Sequence, residues 1–276
     1  MLEHMPHLAF VPVDKLIIHE WHDDQRTPPL IERILTSRVL RNPPIVSPLD
    51  DGSGRYMVLD GANRTTALQK MDYPHALVQV VNSDDPGLKL MNWNHVVWGL
   101  APQAFLEGLQ GIQNARLIPG KSDRANLRGD CDLAIVQVPH GERYSICTDS
   151  KDLTQRVSLL NAVVESYVKR ASLDRTSDWS VVRLIAAYKD LSGLVIFPRF
   201  DILQVLSLAG QGCLLPPGIT RFQVSPRALH LNYPLEALAA DEPLEEKNAA
   251  LQSWLKERIE RKGVRYYSEA TFLFDE

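Results

Sequence analysis

One short motif carries the side chains best suited to chemistry. The apolar pair Val58-Leu59 ends in Asp60-Gly61, and residues 62–68 then show the pattern of an amphipathic helix. The first turn of a helix has unpaired N–H groups and the positive end of the helix dipole, which together favour an anion. An arginine such as Arg64 can bind phosphate or carboxylate through two hydrogen bonds, and an aspartate such as Asp60 can hold a metal or accept a proton. The motif therefore predicts an anion-binding turn.

The two charged residues of this turn differ in how strongly they indicate a bound ligand. Arg64 lies in the first helical turn, where its positive charge opposes the dipole, and a bound anion would explain that placement. Asp60 has two interpretations that the residues alone leave open: a turn-forming or capping aspartate, and a functional carboxylate.

Three other segments offer polar or aromatic side chains. Glu20 follows an apolar segment, and a solvated loop carboxylate is the simpler interpretation of that position. Trp93 follows the last strand of the first unit, where an aromatic residue usually belongs to a core or interface. Thr220 and Arg221 follow the stiff turn 216–218, which would suit a carboxylate or phosphate. Spacing alone assigns none of them a role.

Composition limits the class of protein. The 276 residues are 45% hydrophobic and 23% charged, as in ordinary globular proteins. A net charge of −4 argues against a surface that coats nucleic acid, so a nucleic-acid partner is not expected. No run approaches the roughly 18 apolar residues that a membrane span needs, and no membrane association is expected. The three cysteines are far apart and lack a CxxC spacing, which favours reduced thiols and a cytoplasmic protein.

Two familiar ligand motifs are excluded. Gly120-Lys121-Ser122 lacks the glycine that a phosphate loop has five residues earlier, where Ala115 stands, and it is interpreted as a surface turn. The histidines near the N-terminus do not have the spacing of a zinc site.

The hydrophobic pattern predicts an α+β fold. In the first hundred residues it predicts strands over 8–18, 45–48, 56–59 and 76–81, and helices over 28–37 and 62–71. Beyond them it predicts helices over 101–112, 152–171, 200–209 and 243–262, a hairpin of 132–138 with 143–147, and a strand over 194–197. We divide the chain into domains of residues 1–100 and 101–276.

The residues together resemble a known family. Asp60-Gly61-Ala62-Asn63-Arg64, followed by Ala67-Leu68, is similar to the Asp-Gly-His-His-Arg motif of the ParB/sulfiredoxin-like superfamily. Within that superfamily the chain resembles the free L-serine kinases that form O-phospho-L-serine. The similarity lies in His19-Glu20, the Trp93 segment and the loop 217–221 that leads into residues 227–235. It covers residues 8–100 and 192–238.

The motif departs from the family at two positions. The two family histidines are replaced by Ala62, which offers only its backbone N–H, and Asn63, which retains a side-chain donor. Sulfiredoxins need a cysteine where this chain has Ala62, so sulfiredoxin chemistry is excluded.

The resemblance implies a kinase that moves a phosphoryl group from ADP or ATP to the hydroxyl of free L-serine with Mg²⁺. It implies a ParB/sulfiredoxin-like N-terminal domain and a C-terminal α/β region that helps to close the active site. It implies Glu20 as the base, and Asp60 as a group that binds Mg²⁺ or orients the hydroxyl. The implied nucleotide and phosphate contacts are Ser37, Arg38, Gly61, Ala62, Asn63, Arg64 and Thr65, and the implied substrate contacts are Trp93, Thr220 and Arg221.

Two other functions remain open from the residues. A non-enzymatic ParB-like regulator that binds nucleotide or DNA would explain Asp60 and Arg64 through ligand binding alone. Against it, no helix-turn-helix with a basic recognition face is visible in the sequence. A nuclease has less support, because Asp60 and Glu20 are its only candidate metal ligands. The sequence leaves the oligomeric state open.

Overall fold

The structure is a computed structural model that describes residues 5–22, 24–120 and 132–267. Lys121, Ser122 and Cys131, which the sequence analysis considers, lie outside these residues. The elements of the first half, in chain order, are β1 (His7–Pro12), β2 (Leu16–Ile17), α1 (Thr27–Ser37), β3 (Val39–Leu40), β4 (Ile45–Pro48), β5 (Tyr56–Asp60), α2 (Ala62–Lys70), β6 (His75–Val80), β7 (Leu88–Asn92) and β8 (Asn94–Trp98).

The second half alternates helices and strands. Its elements are α3 (Pro102–Gln110), β9 (Arg116–Pro119), β10 (Asp132–Gln137), β11 (Arg143–Cys147), α4 (Leu153–Val168), β12 (Ser172–Thr176), β13 (Leu191–Ile196), α5 (Ile202–Gly210), β14 (Thr220–Val224), β15 (Tyr233–Pro234), α6 (Leu235–Ala239) and α7 (Leu244–Glu260). The mixture of helices and sheets confirms the predicted α+β class.

The first sheet has the strand order β1-β6-β4-β5-β2 in the part of the chain described. The prediction of one strand over residues 8–18 is wrong, because a 3₁₀ turn over Val13–Lys15 separates β1 from β2. The pairing of β1 with β6 ends where the N–H of Val13 bonds to the carbonyl of Pro74 at 3.1 Å, because Pro74 has no N–H with which to return the bond. The turn carries Leu16 and Ile17 to the opposite edge of the sheet, where they pair with β5.

The second sheet has the order β12-β8-β13-β10-β11-β9 among the described residues. The predicted hairpin is confirmed, with Ile135 opposite Ser145. The predicted helices are confirmed as α3 and α4, which pack together on this sheet through Phe105 and Tyr167, both buried. Asp152 caps α4 by accepting a hydrogen bond from the N–H of Gln155 at 2.7 Å.

The C-terminal segment returns to the first sheet. Asn248 on α7 accepts a hydrogen bond from the N–H of Phe10 at 2.8 Å and donates one to its carbonyl at 3.2 Å. The buried Lys247 donates to the carbonyl of Leu238 at 2.8 Å. The boundary after residue 100 stays a prediction; β8 begins before it and joins the second sheet, whereas α7 follows it and packs on the first.

None of the helices in the described part of the chain is long and apolar enough to cross a membrane.

We expect Leu251→Ala on α7 to lower the free energy of unfolding by about 2–5 kcal/mol, because Leu251 is fully buried in the core beneath the first sheet. Leu203→Ala on α5 is the control, because that side chain is 68% exposed. Denaturant unfolding measures both. Equal, small losses would contradict the docking of α7 on this sheet.

Candidate functional site

The carboxylate of Glu20 is bound to the loop of residues 216–220. Its Oε2 accepts a hydrogen bond from the N–H of Gly218 at 2.8 Å. Its Oε1 accepts bonds from the N–H groups of Ile219 at 3.2 Å and Thr220 at 2.6 Å, and from the Thr220 hydroxyl at 2.5 Å. The solvated-loop interpretation of Glu20 is therefore wrong. The contact joins residues about two hundred positions apart, which no local pattern reveals.

The backbone beside Glu20 reinforces this contact. Leu215 donates its N–H to the carbonyl of His19 at 2.8 Å, and Trp21 donates its N–H to the carbonyl of Leu215 at 3.0 Å. The segment around Glu20 thus pairs with the start of the loop over a short parallel bridge.

The second sheet also contacts the loop, through His95 on β8. Gly218 has a φ of +71°, a conformation that favours glycine, and its carbonyl accepts a hydrogen bond from Nε2 of His95 at 3.3 Å. Burial lowers the pKa of His95 to about 4, so the ring is neutral at pH 7. In the neutral ring Nε2 carries the proton and donates to the carbonyl of Gly218, while Nδ1 accepts from the Tyr167 hydroxyl at 2.9 Å.

Arg221 and Trp93 are brought together by the pairing of β14 with β7. Thr220 lies opposite Asn92 and Arg221 opposite Met91 in this ladder. The guanidinium carbon of Arg221 lies 4.4 Å from the centre of the Trp93 ring, a cation–π contact. The structure therefore places three predicted substrate contacts, Trp93, Thr220 and Arg221, beside Glu20 or beside one another.

His19 is a site residue to which the sequence assigns no role. It is buried, with Nδ1 2.7 Å from the carbonyl oxygen of Val58 and Nε2 2.8 Å from Oγ1 of Thr220. Three residues on, Nε2 of His22 lies 2.9 Å from the Thr66 hydroxyl on α2. The segment 19–22 therefore contacts β5, α2 and the 216–220 loop.

Asp60, Arg64 and Arg227 form a second cluster at the start of α2. Oδ2 of Asp60 accepts a hydrogen bond from Arg64 at 3.4 Å and a short one from Arg227. Burial lowers the pKa of the Arg64 guanidinium, the charge of Asp60 raises it, and the positive charge of Arg227 lowers it. Two guanidinium groups face one carboxylate, so the cluster carries an excess positive charge.

Arg227 is the second functional candidate that sequence analysis missed. The buried Gln79 on β6 fixes its backbone, donating to the carbonyl of Pro226 at 2.9 Å and accepting from the N–H of Ala228 at 2.9 Å. The sequence did contain one indication of its role, because Arg227 lies in the segment 227–235 that resembles the free serine kinases. Its pairing with Asp60 spans 167 residues.

The first turn of α2 has several polar groups without partners. Gly61 precedes the helix with a φ of +98° and no side chain caps it. Within the described residues, Oδ1 of Asn63, Nε of Arg64 and Oγ1 of Thr65 are buried and make no hydrogen bond. Buried polar atoms are nearly always paired in proteins, so three neighbouring exceptions indicate a place for a polar ligand.

Ser37 and Arg38 lie at the end of α1. Arg38 forms an exposed ion pair with Glu236, and the Ser37 hydroxyl donates to the carbonyl of Ile34 at 3.2 Å. Ser37 also lines a shallow cavity of about 370 Å³ on α1. No hydrogen bond or ion pair in the described part of the chain joins these two residues to Asp60 or Arg64.

Asp60 is the candidate metal ligand. Its Oδ2 is taken by the two arginines, whereas Oδ1 makes no hydrogen bond or ion pair in the part of the chain that the structure covers. No cluster of three or more His, Cys, Asp or Glu side chains suited to a metal occurs there. A single carboxylate oxygen is the kind of protein ligand that Mg²⁺ takes when phosphate and water supply the rest.

Comparison with known proteins points to one class, kinases of free serine. No family model matches the chain. The ATP-dependent L-serine kinase SbnI of Staphylococcus aureus is 25% identical over 275 residues, which are 98% of this chain and 98% of that protein. ATP-dependent L-serine kinases of Staphylothermus marinus and Desulfurococcus mucosus are 32% identical over 91 residues and 28% identical over 154 residues. They match 33% and 54% of this chain, and 36% and 55% of their own lengths.

Solved structures share the fold. SbnI with a C-terminal truncation, from Staphylococcus aureus, has a TM-score of 0.71 at 24% identity and covers 95% of this chain and 98% of its own. A free serine kinase in complex with AMP has a TM-score of 0.69 at 18% identity and covers 84% and 93%. The comparisons confirm the resemblance to the free serine kinases.

We expect Gly61→Ala to lower the free energy of unfolding more than Gly212→Ala does. Both glycines have positive φ, +98° and +73°, where alanine costs about 1–2 kcal/mol. A Cβ on Gly61 would also lie 2.8 Å from Nη2 of Arg64 and 3.1 Å from Cα of Pro44, whereas one on Gly212 would meet nothing within 4 Å. Chemical denaturation compares the two variants, and equal losses would show that Gly61 is not crowded.

Proposed function

We propose that this chain is a kinase that transfers the terminal phosphoryl group of ATP to the hydroxyl of free L-serine, giving O-phospho-L-serine. The main observation behind the proposal is that residues 19–22, which carry Glu20, bond to Val58 on β5 and Thr66 on α2, the two elements that carry Asp60 and Arg64. The similarity over 98% of the chain to an ATP-dependent L-serine kinase supports the proposal and favours it over a non-enzymatic regulator.

The phosphate end of the site is the first turn of α2. The partly buried guanidinium of Arg64, the guanidinium of Arg227 and the N–H groups of the turn all favour an anion. The unpartnered polar atoms of Asn63 and Thr65 would find partners on the same ligand. Gly61 and Ala62 bring the backbone close without a bulky side chain. Ser37 and Arg38 stay predicted contacts for more distant parts of the nucleotide.

Mg²⁺ fits this end of the site. Asp60 would hold the ion through Oδ1, the carboxylate oxygen that neither arginine engages. When bound, the ion neutralises charge on the phosphoryl oxygens, which is its general task in phosphoryl transfer. Because a kinase needs ATP from the cell interior, we place the protein in the cytoplasm.

The amino-acid end of the site is the pair Arg221 and Trp93. The ring of Trp93 holds the Arg221 guanidinium in place, and this guanidinium suits the carboxylate of serine. The N–H and the hydroxyl of Thr220 both bond to Glu20, so Thr220 positions Glu20 as well as bordering the substrate.

Glu20 is the base in this proposal. Each carboxylate oxygen has about two lone-pair sites; among the described residues Oε1 accepts three hydrogen bonds, whereas Oε2 accepts one, from the N–H of Gly218, and keeps one site. Oε2 can therefore accept the proton of the serine hydroxyl. The loop keeps this oxygen in one orientation, as in-line transfer requires.

We expect the protein to form O-phospho-L-serine from L-serine, ATP and Mg²⁺, and Glu20→Gln to lower kcat by about 10²-fold or more, since a positioned base contributes about 10²–10⁴-fold. Glu107→Gln is the control, an exposed glutamate on α3. Phosphoserine is quantified by mass spectrometry. Full activity of Glu20→Gln would refute the assignment of the base, and absence of product with both ATP and ADP would refute the kinase.

We expect Arg227→Gln to raise the KM for ATP about tenfold or more, because a hydrogen bond to a charged group contributes about 1.5–3 kcal/mol. Arg116→Gln is the matched control, since it removes the arginine of an exposed ion pair with Asp149, and Arg116 lies on β9 of the second sheet. Steady-state kinetics at saturating serine gives the KM for ATP of both variants. An unchanged KM for ATP in Arg227→Gln would remove Arg227 from the phosphate end.

A further inference from the structure

Three hydrogen bonds run in series from the backbone of β5 to the carboxylate of Glu20. Nδ1 of His19 lies 2.7 Å from the carbonyl oxygen of Val58, and Nε2 lies 2.8 Å from Oγ1 of Thr220. Oγ1 in turn lies 2.5 Å from Oε1 of Glu20. His19 has only 8% of its surface exposed, so water does not readily replace these partners.

The number of protons shared among these three hydrogen bonds defines the protonation state of the His19 ring. A carbonyl oxygen only accepts, so the contact with Val58 requires a proton on Nδ1. Thr220 has a single hydroxyl proton, and an ionised Glu20 also only accepts. If that proton lies on the bond to Glu20, the contact between Thr220 and Nε2 requires a second proton on the ring.

The surroundings of His19 are consistent with this count. In the described part of the chain, the hydrogen bonds of His19 lead to one charged group, Glu20, through the Thr220 hydroxyl. The strand β5 presents the Val58 carbonyl, and β14 presents the edge-on ring of Phe222 at 5.2 Å between ring centres. A positive ring therefore has an acceptor at one nitrogen and, beyond one hydroxyl, the negative charge of Glu20 at the other.

We propose that His19 is a positioning residue for the base: in its doubly protonated form it donates to Thr220, which directs the Thr220 hydroxyl onto Oε1 of Glu20 and leaves Oε2 for the substrate hydroxyl. The proposal rests on the proposed function for the identity of the substrate and for the role of Glu20 as the base. Hydrogen bonds in such a chain polarise one another, so the cation strengthens the bond that fixes Glu20. His19 does not touch the reacting atoms and acts through Thr220.

The first test reads the protonation of the ring directly. Two-dimensional ¹H–¹⁵N NMR of the full-length, histidine-labelled protein at pH 7 distinguishes an imidazolium, with both nitrogens protonated, from a neutral ring. We expect the imidazolium pattern at His19. The neutral, Nε2-protonated pattern is expected at His95, which serves as the internal control because burial lowers its pKa to about 4. Assignment uses the His19→Gln and His95→Gln spectra. A neutral His19 overturns the proposal, whether or not the protein phosphorylates serine.

The second test separates positioning from a merely structural role. In His19→Gln the longer side chain still presents an N–H to Thr220, whereas in His19→Asn the shorter one retains a donor for Val58 and does not reach Thr220. We expect His19→Asn to lower kcat for phosphoserine formation by about 10²-fold, with the KM values for serine and ATP unchanged. We expect His19→Gln to keep most of the kcat of the unaltered protein. Equal kcat in the two variants, or losses that appear in KM for serine, would overturn the proposal. Loss of product in the unaltered protein would instead refute the kinase.

Discussion

The site depends on the binding of one carboxylate by three consecutive backbone N–H groups and one hydroxyl. Because Glu20 accepts all four bonds, the 216–220 loop has its N–H groups satisfied by a side chain from the other end of the chain. Leaving several such donors unpaired in a partly buried loop would cost about 1–3 kcal/mol each. The same contact determines where β14 begins, and so fixes Arg221 over Trp93.

The two ends of the site differ in how their charges are balanced. At the loop, the N–H groups of residues 218–220 and the Thr220 hydroxyl all donate to Glu20, so they have an acceptor before any substrate arrives. At the start of α2, two guanidinium groups share one oxygen of Asp60 and buried polar atoms are left unpaired among the described residues. A phosphate would complete the second cluster, whereas the first needs no ligand to be stable. This difference suits a reaction in which the nucleotide supplies charge and the protein supplies orientation.

Local sequence patterns predicted the elements of the fold well, and distant contacts poorly. Helices α1, α2 and α4 and the β10–β11 hairpin follow from hydrophobic period and turn residues within one segment. The interruption at residues 13–15 does not, because it depends on the carbonyl of Pro74 and on the order of strands in the sheet. The roles suggested for Glu20 and Thr220 came from family resemblance, since only the folded chain brings them together. Arg227 was missed because the buried Gln79 that positions it lies on another strand.

The return of α7 to β1 has a consequence for how the protein is made. The residues that build the site come from segment 19–66, from Trp93 and from segment 218–227, and the second sheet is synthesised between Trp93 and the last of these. On the ribosome, the early segments emerge long before their partners, with the charges of Glu20, Asp60 and Arg64 still exposed to water. The loop of residues 216–220 and α7, which covers the core of the first sheet, both follow the second sheet in the chain. The reactive centre can therefore assemble only after the second sheet has been synthesised.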